Sequence, residues 1–234
     1  MKLSRVGVMA TTRKRRQRGS LTSEVIVKAA LAVSERGGYE GLTFQALGTE
    51  LGAHPTAIYR HFRDKNELML ALIEAIHAET LETLGAPTGD WEGDLRALAH
   101  AVRDSFLRHP AVGQFAAVRT TRGPHEFEII ERIVGCLRRA GFDDRRAARM
   151  YRIFADVTLG YAAVDAGLAA LPPDIRQGDL EAWEGRYRSL DRGRYPNLAA
   201  VAEQIPSIED PGNFSTALDL FIDALRLRLD RGAS

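Results

Sequence analysis

The sequence predicts an all-α protein in two parts, an N-terminal three-helix helix-turn-helix domain and a larger helical body. Three observations predict it. Apolar residues recur at three- and four-residue spacing along most of the chain, and no alternation of useful length at period two appears. Near the N-terminus, two very short helical segments meet at a Gly-containing turn and follow a longer helix. The formal net charge of +1 also hides a split: residues 1–66 carry a net +7 and residues 67–234 a net −6. A compact basic module on an acidic body suits a partner that is a polyanion, and the alternative is a passive basic tail.

Composition sets the outer bounds. With 234 residues, 45% hydrophobic and 27% charged, the chain is long enough to bury a sizeable core and is not globally disordered. No stretch approaches roughly 18–20 uninterrupted apolar residues, so no membrane span is expected. The N-terminus shows no apolar signal core before a small-residue cleavage site, and a cytoplasmic location is expected. The single cysteine, Cys136, excludes an internal disulfide framework and any zinc site built on several thiolates.

The elements follow in order. Residues 1–20 hold seven basic residues and no acidic one, lack apolar periodicity, and read as a flexible arm. Thr22 is an N-cap candidate for a first helix with Val25, Ala29, Ala32 and Val33 at helical spacing, ended by Gly37 and Gly38. Thr43 can cap a short helix that carries Phe44, Leu47 and Leu51 inward, and Gly52 supplies the turn. A second short helix starts at Pro55, a residue suited to the first helical position, and runs through Phe62. Asp64 then caps a longer helix holding Leu68, Leu72 and Ile76.

Beyond a break at residues 85–89, Asp90 caps a helix to about Arg108, and Pro110 stops it. A short apolar piece at 112–118 leads into a loop at 119–124. Helices are predicted over about 125–140, ended by Gly141, and over about 144–171, terminated by Pro172 and Pro173. Residues 172–213 read as polar and irregular, with short helices around 180–188 and 197–204. A final amphipathic helix spans about 214–229. The division is then a basic arm at 1–20, a helix-turn-helix domain at 21–66 and a helical body at 67–234.

The helix-turn-helix explains the residue types at its core and rim. Its second helix has to enter a major groove about 12 Å wide, so it is short and polar outside. Ile58 and Phe62 face inward. Residues 21–76 closely resemble the N-terminal domain of the tetracycline-repressor (TetR) family of transcriptional regulators. The resemblance lies in Ala29 and Ala30, in the run Gly38 to Thr43, and in Leu47-Gly48 with Leu51-Gly52. It continues through Ile58-Tyr59-Arg60-His61-Phe62 and Asp64-Lys65-Asn66-Glu67-Leu68. It implies that Thr43, Tyr59 and Lys65 contact phosphates and that Gln45 faces the groove. His54, Pro55, Thr56, Ala57, Arg60 and His61 cover the reading helix. Arg60 and Gln45 have the reach for bidentate bonds to guanine and adenine. The alternatives are a core ring for Tyr59, plain surface for the two histidines and an ion pair for Arg60.

The body resembles the same family more loosely, in the order of its helices, in Tyr195-Pro196-Asn197-Leu198-Ala199 and in the run from Ala217 to Leu225. The resemblance implies a homodimer through a four-helix bundle of the helices at 144–171 and 214–229, whose apolar faces suit such a bundle. It also implies an effector pocket for a small molecule in the body. Phe106, Phe115, Phe127, Met150, Phe154, Val157 and Tyr161 are candidates for its lining, the alternative being ordinary core packing. Tetracycline-responsive members hold a magnesium-chelated drug with a histidine whose position falls near Ala117 here, flanked by His109 and His125. The resemblance does not carry tetracycline over.

Other chemistry is not indicated. The six histidines lack a His-Glu-x-x-His spacing, and neither a Gly-x-Ser-x-Gly elbow nor a phosphate-binding glycine loop is present. No catalytic residue, metal or cofactor is expected. The expected function is a non-enzymatic, homodimeric repressor that binds double-stranded operator DNA at a palindrome and is released by a small-molecule effector. The alternatives are a DNA-binding activator or architectural regulator without an effector, and an all-α enzyme whose N-terminal domain merely resembles a regulator.

Overall fold

Helix starts follow local capping chemistry. The computed structural model describes residues 21–230, apart from the side chains at 183, 184 and 187, and contains eleven helices among the described residues. The arm at 1–20 lies outside them. The Thr22 hydroxyl accepts from the Val25 N–H to start α1 (Ser23–Gly41), and Thr43 accepts from Ala46 to start α2 (Phe44–Leu51). The His54 ring caps α3 (Pro55–Ile58) and Asp64 caps α4 (Lys65–Thr83). Asp90 and Asp143 cap α5 (Trp91–Arg108) and α8 (Asp144–Ala170). These side chains satisfy N–H groups that have no partner inside the helix. Proline opens α6 (Pro110–Ala116), α7 (Pro124–Ala140), α9 (Pro173–Arg188) and α10 (Pro196–Val201), where its missing donor costs nothing. The last helix is α11 (Pro211–Asp230).

Four expectations change in detail. Gly38, at φ 63°, makes a kink rather than an end, and one more helical turn follows before Leu42. The buried stripe of α1 is Ile26, Ala30, Leu31, Val33 and Ser34, while Val25, Ala29 and Ala32 are only half-buried. α1 packs against α2, α4 and α6 together, and this shifts and widens its inward face. Regular helix in α3 stops at Ile58. Residues 59–61 continue as turn, with the His61 and Phe62 N–H groups both donating to the Ile58 carbonyl, and this seats Phe62 in the core. Finally, residues 173–188 form a continuous helix. Its polar composition hides helical periodicity, and Pro173 serves as its first residue as well as the stop for α8.

α8 is the central element, packed against α5, α6, α7 and α11. By length and hydropathy alone it could cross a membrane, yet Phe154, Ala155, Thr158 and Ala162 face the core and Asp165 meets Arg103 of α5 at 2.5 Å. α4 joins the two parts. It packs against α1 and also against α5, α6 and α7, and its Thr80 hydroxyl donates to Ser105 of α5 at 2.7 Å in the interior. The expected division between residues 66 and 67 falls in its first turn.

Candidate nucleic-acid interface and body cavity

The N-terminal helices hold one face rigid and leave it open. Ile26, Leu42, Leu47, Ile58 and Leu68 are fully buried, and Phe44 and Phe62 nearly so. Gly48 lets α2 approach the turn closely: a Cβ there would lie 2.8 Å from the Ala53 carbonyl oxygen and 3.3 Å from the Pro55 ring. Gly52 ends α2 at φ 62° in the left-handed region. Asp64 and Glu67 then fix the start of α4. The Asp64 carboxylate accepts from the Glu67 N–H, which holds it below the usual carboxylate range, and the Glu67 carboxylate reaches back to the Arg63 N–H.

The side chains on this frame are open to solvent where a groove reader needs them. Thr43, Gln45, His54, Thr56, Tyr59 and Arg60 are exposed, and Pro55, Ala57, His61 and Lys65 are half-buried. Tyr59 is 57% exposed, although its ring meets the edge of Phe44 at 4.5 Å between centroids; it is not a core ring. His54 also accepts from the Thr56 N–H at 3.3 Å, so it shapes the start of α3 as well as facing out. Lys65 has a structural task. Its ammonium donates to the Tyr39 carbonyl at 2.7 Å and lies 3.6 Å from the Tyr39 ring centre, pinning α4 to the end of α1. Residues 21–66 contain five basic and five acidic residues, so the whole net +7 resides in the arm.

The body contains a cavity between α4, α5, α7 and α8, with about 570 Å³ of empty space counting its open mouth. Its walls are mainly aliphatic, with Phe154 from α8 and Ile129 and Ile133 from α7. Of the seven residues expected there, Phe154 alone lines it. Phe106 is fully buried against Gly113 in the joint of α5 and α6. Phe115 packs on Tyr39 of α1 at 4.7 Å, and Phe127 is 58% exposed on α7. Met150 lines a separate surface hollow among arginines, Tyr161 meets Phe214 of α11 edge-on, and half-buried Val157 is not in the wall. Apolar character alone does not place a residue in the wall, which is set by the faces on which the helices meet.

The polar wall residues are His77, Arg119, Glu126, Tyr151 and Thr158. None was foreseen, though His77 and Thr158 each interrupt an apolar stripe, a signal visible in the sequence. Next to them, Glu74 accepts from the Thr121 hydroxyl at 2.7 Å and from the His125 N–H and ring at 2.8 and 2.9 Å. Burial works to raise this carboxylate, but those donors outweigh it and hold it below its ordinary range. Burial pushes His77 below the ordinary histidine value, against the opposing pull of Glu74 and Glu126.

A group buried in its neutral form has a readable pH signature. The unfolded chain takes up a proton near pH 6.5, and folded His77 does so only at lower pH. Its contribution is therefore complete above about pH 6.5 and is lost as pH falls below that. The melting temperature is expected to drop between pH 7.5 and 5.5, and His77→Phe should shrink that drop. An equal drop in the variant would assign the effect to other groups. Among the described residues no cluster of three or more His, Cys, Asp or Glu is placed to hold a metal. Cys136 is buried, its thiol pushed up by that burial, as suits inert packing.

Two polar residues, Arg119 and His109, hydrogen-bond the cavity side to α1 and α4. Arg119 of the cavity wall donates to Asn66, in the first turn of α4, at 2.7 Å. His109, just before α6, bridges Glu35 of α1 at 3.0 Å and Glu79 of α4 at 2.9 Å.

The chain is similar to known regulators along nearly its whole length. Residues 26–72 match the family described as bacterial regulatory proteins, tetR family. Residues 85–229 match the tetracyclin repressor-like C-terminal domain. The HTH-type transcriptional repressor DrrR1 of Streptomyces coeruleorubidus is 25% identical over 225 residues, 92% of this chain and 82% of that protein. The tetracycline repressor protein class A from transposon 1721 of Escherichia coli is 28% identical over 210 residues, 89% of this chain and 92% of that protein. Among solved structures, the TetR family protein ActR of Streptomyces coelicolor in complex with actinorhodin superposes with a TM-score of 0.77 at 24% identity, covering 90% of this chain and 99% of that one. With both domain matches in sequence order and the open helix-turn-helix face between buried supports, the chain belongs to the tetR family of bacterial regulatory proteins and is a DNA-binding transcriptional regulator.

Proposed function

We propose that the chain is a cytoplasmic homodimeric repressor that reads a palindromic operator with residues 54–61 and lets go when a small molecule occupies the body cavity. The observation that carries this reading is the face formed by Gln45, His54, Thr56, Tyr59 and Arg60, exposed on α2, on α3 and on the residues flanking α3, whose other sides are buried. Thr43, Pro55, Ala57, His61 and Lys65 complete the contact surface, with Thr43 and Tyr59 on phosphates. The arm at 1–20 adds sequence-independent attraction.

Dimerisation is supported by apolar side chains that the chain leaves uncovered on adjacent helices. Ile153, Tyr161 and Val164 are exposed on α8, and Leu220 and Leu227 on α11. A two-fold partner would cover them and set two reading helices about 34–36 Å apart, one turn of DNA. ActR was solved with actinorhodin, and a ligand role for the cavity here rests on that likeness together with the cavity itself. Release then works by coupling. A ligand that displaces Arg119 loosens its bond to Asn66, and the first turn of α4 carries Lys65, which holds α1.

Arg60→Ala tests the groove assignment. Against an operator selected from random DNA, the variant is expected to lose about 1–3 kcal/mol of specific binding and to relax base preference at one position per half-site. Fluorescence anisotropy across single-base operator changes reads both effects. Normal affinity with unchanged preference would remove Arg60 from the groove.

A further inference from the structure

Two buried polar atoms in the cavity wall have no hydrogen-bond partner among the described residues: His77 Nδ1 and Thr158 Oγ1. Both residues are buried, with Thr158 3% exposed and the His77 side chain 11% exposed. The nearest carboxylate oxygen to His77 Nδ1 belongs to Glu74 at 3.7 Å, beyond hydrogen-bond reach. Thr158 does not bond back to its own helix, as a helical threonine commonly does. Leaving such groups unpaired is costly, and both line a space that is otherwise chiefly aliphatic.

The surrounding charges decide what kind of partner fits. Glu126 lines the cavity and Glu74 lies behind His77, so a ligand anion at this end would meet carboxylates. Glu74 already accepts from the Thr121 hydroxyl and from His125, and Glu126 from the Arg122 N–H, so both carboxylates have donors without a ligand cation. The Arg119 guanidinium is engaged with Asn66. A neutral group that both donates and accepts satisfies an imidazole nitrogen and a hydroxyl without bringing a buried charge.

We propose that this cavity binds a neutral, mainly hydrocarbon molecule bearing hydroxyl groups, which pair with His77 Nδ1 and Thr158 Oγ1. The inference rests on the effector reading for what binding accomplishes, but binding itself is measured without DNA.

The test uses the full chain and three probes with one hydrocarbon body: naphthalene, 1-naphthol and 1-naphthoate, followed by equilibrium dialysis. 1-Naphthol is expected to bind about tenfold more tightly than naphthalene, as one good hydrogen bond to a buried group gives, and more tightly than 1-naphthoate. His77→Phe combined with Thr158→Val should erase the advantage over naphthalene and keep naphthalene binding. Thr158→Val alone should raise the melting temperature, because it removes an unpaired buried hydroxyl; this shows that the variant folds.

Tightest binding by 1-naphthoate, absence of binding by all three probes, or a hydroxyl preference that survives the double substitution would each overturn the proposal. Operator release is scored separately by anisotropy. Hydroxyl-selective binding without release would uphold the ligand class and overturn the effector reading.

Discussion

A chain lacking residues 1–18 is expected to bind its operator several hundred-fold more weakly near 0.1 M salt. The arithmetic comes from charge placement. Residues 21–66 balance five basic against five acidic residues, so the folded reader has no net positive charge of its own. All seven excess positive charges lie in the arm. Each phosphate neutralised releases counterions and adds about 0.9 to the slope of log affinity against log salt. Three arm contacts then account for roughly 2.7 in slope, and for a similar number of decades near 0.1 M salt. Anisotropy titrations between 50 and 300 mM salt would read the slope directly. Base preference should survive the truncation, because Gln45, Thr56 and Arg60 stand on α2, α3 and the turn that follows it, all anchored by residues outside the arm. An unchanged slope would make the arm a passive tail and would place the electrostatic work on Arg60, Arg63 and Lys65.

What could be read in the sequence was chiefly local. Thr22, Thr43, Asp64, Asp90 and Asp143 each cap the helix that follows them, because capping depends on residues two or three positions away. The exposure of this face was legible for a similar reason: once Ile58 and Phe62 are inward, short helical geometry leaves Thr56, Tyr59 and Arg60 outside. The cavity was not legible, since it depends on the mutual placement of α4, α5, α7 and α8. Phe106, Phe115 and Phe127 illustrate this. One is in the core, one in the joint with α1 and one in solvent, although all three have the same side chain. His77 was the better clue. It lies on the stripe of Leu72, Ile73, Ile76 and Thr80, where a titratable side chain is out of character. Of α9 only the stretch around 180–188 is legible in the sequence, and its first half is not, because a helix that buries little has a weak apolar period to read.

Substituting Gly48 is expected to impair DNA binding without unfolding the body, in proportion to the size of the new side chain. Gly48 does not have a positive φ, so an L-residue fits its backbone and the cost is purely one of space. That space is occupied. The first side-chain carbon would lie 2.8 Å from the Ala53 carbonyl oxygen, a backbone atom, and 3.3 Å from the ring of Pro55, the first residue of α3. The Ala53 N–H already donates to the Gly48 carbonyl at 2.9 Å, so the two segments cannot part without losing that bond. Overpacking of this kind costs about 1–3 kcal/mol. Here the relief is a shift of α3, whose four regular residues take their direction from this turn. Gly48→Ala should weaken operator binding about tenfold, and Gly48→Val by about a hundredfold or more, if a displacement near 1 Å misaligns Arg60 and Gln45 together. Gly52→Asn is the control. Gly52 does need the left-handed region, which asparagine tolerates, and a Cβ there meets nothing within 4 Å, so its binding should stay within a few-fold of wild type. Circular dichroism and 1-naphthol binding should be unchanged in all three variants, since a Cβ at Gly48 meets Ala53 and Pro55, neither of which lines the cavity. Wild-type operator affinity in Gly48→Val would mean that the close approach of α2 to the turn does not aim the reading helix, and that Ile58 and Phe62 alone hold it in place.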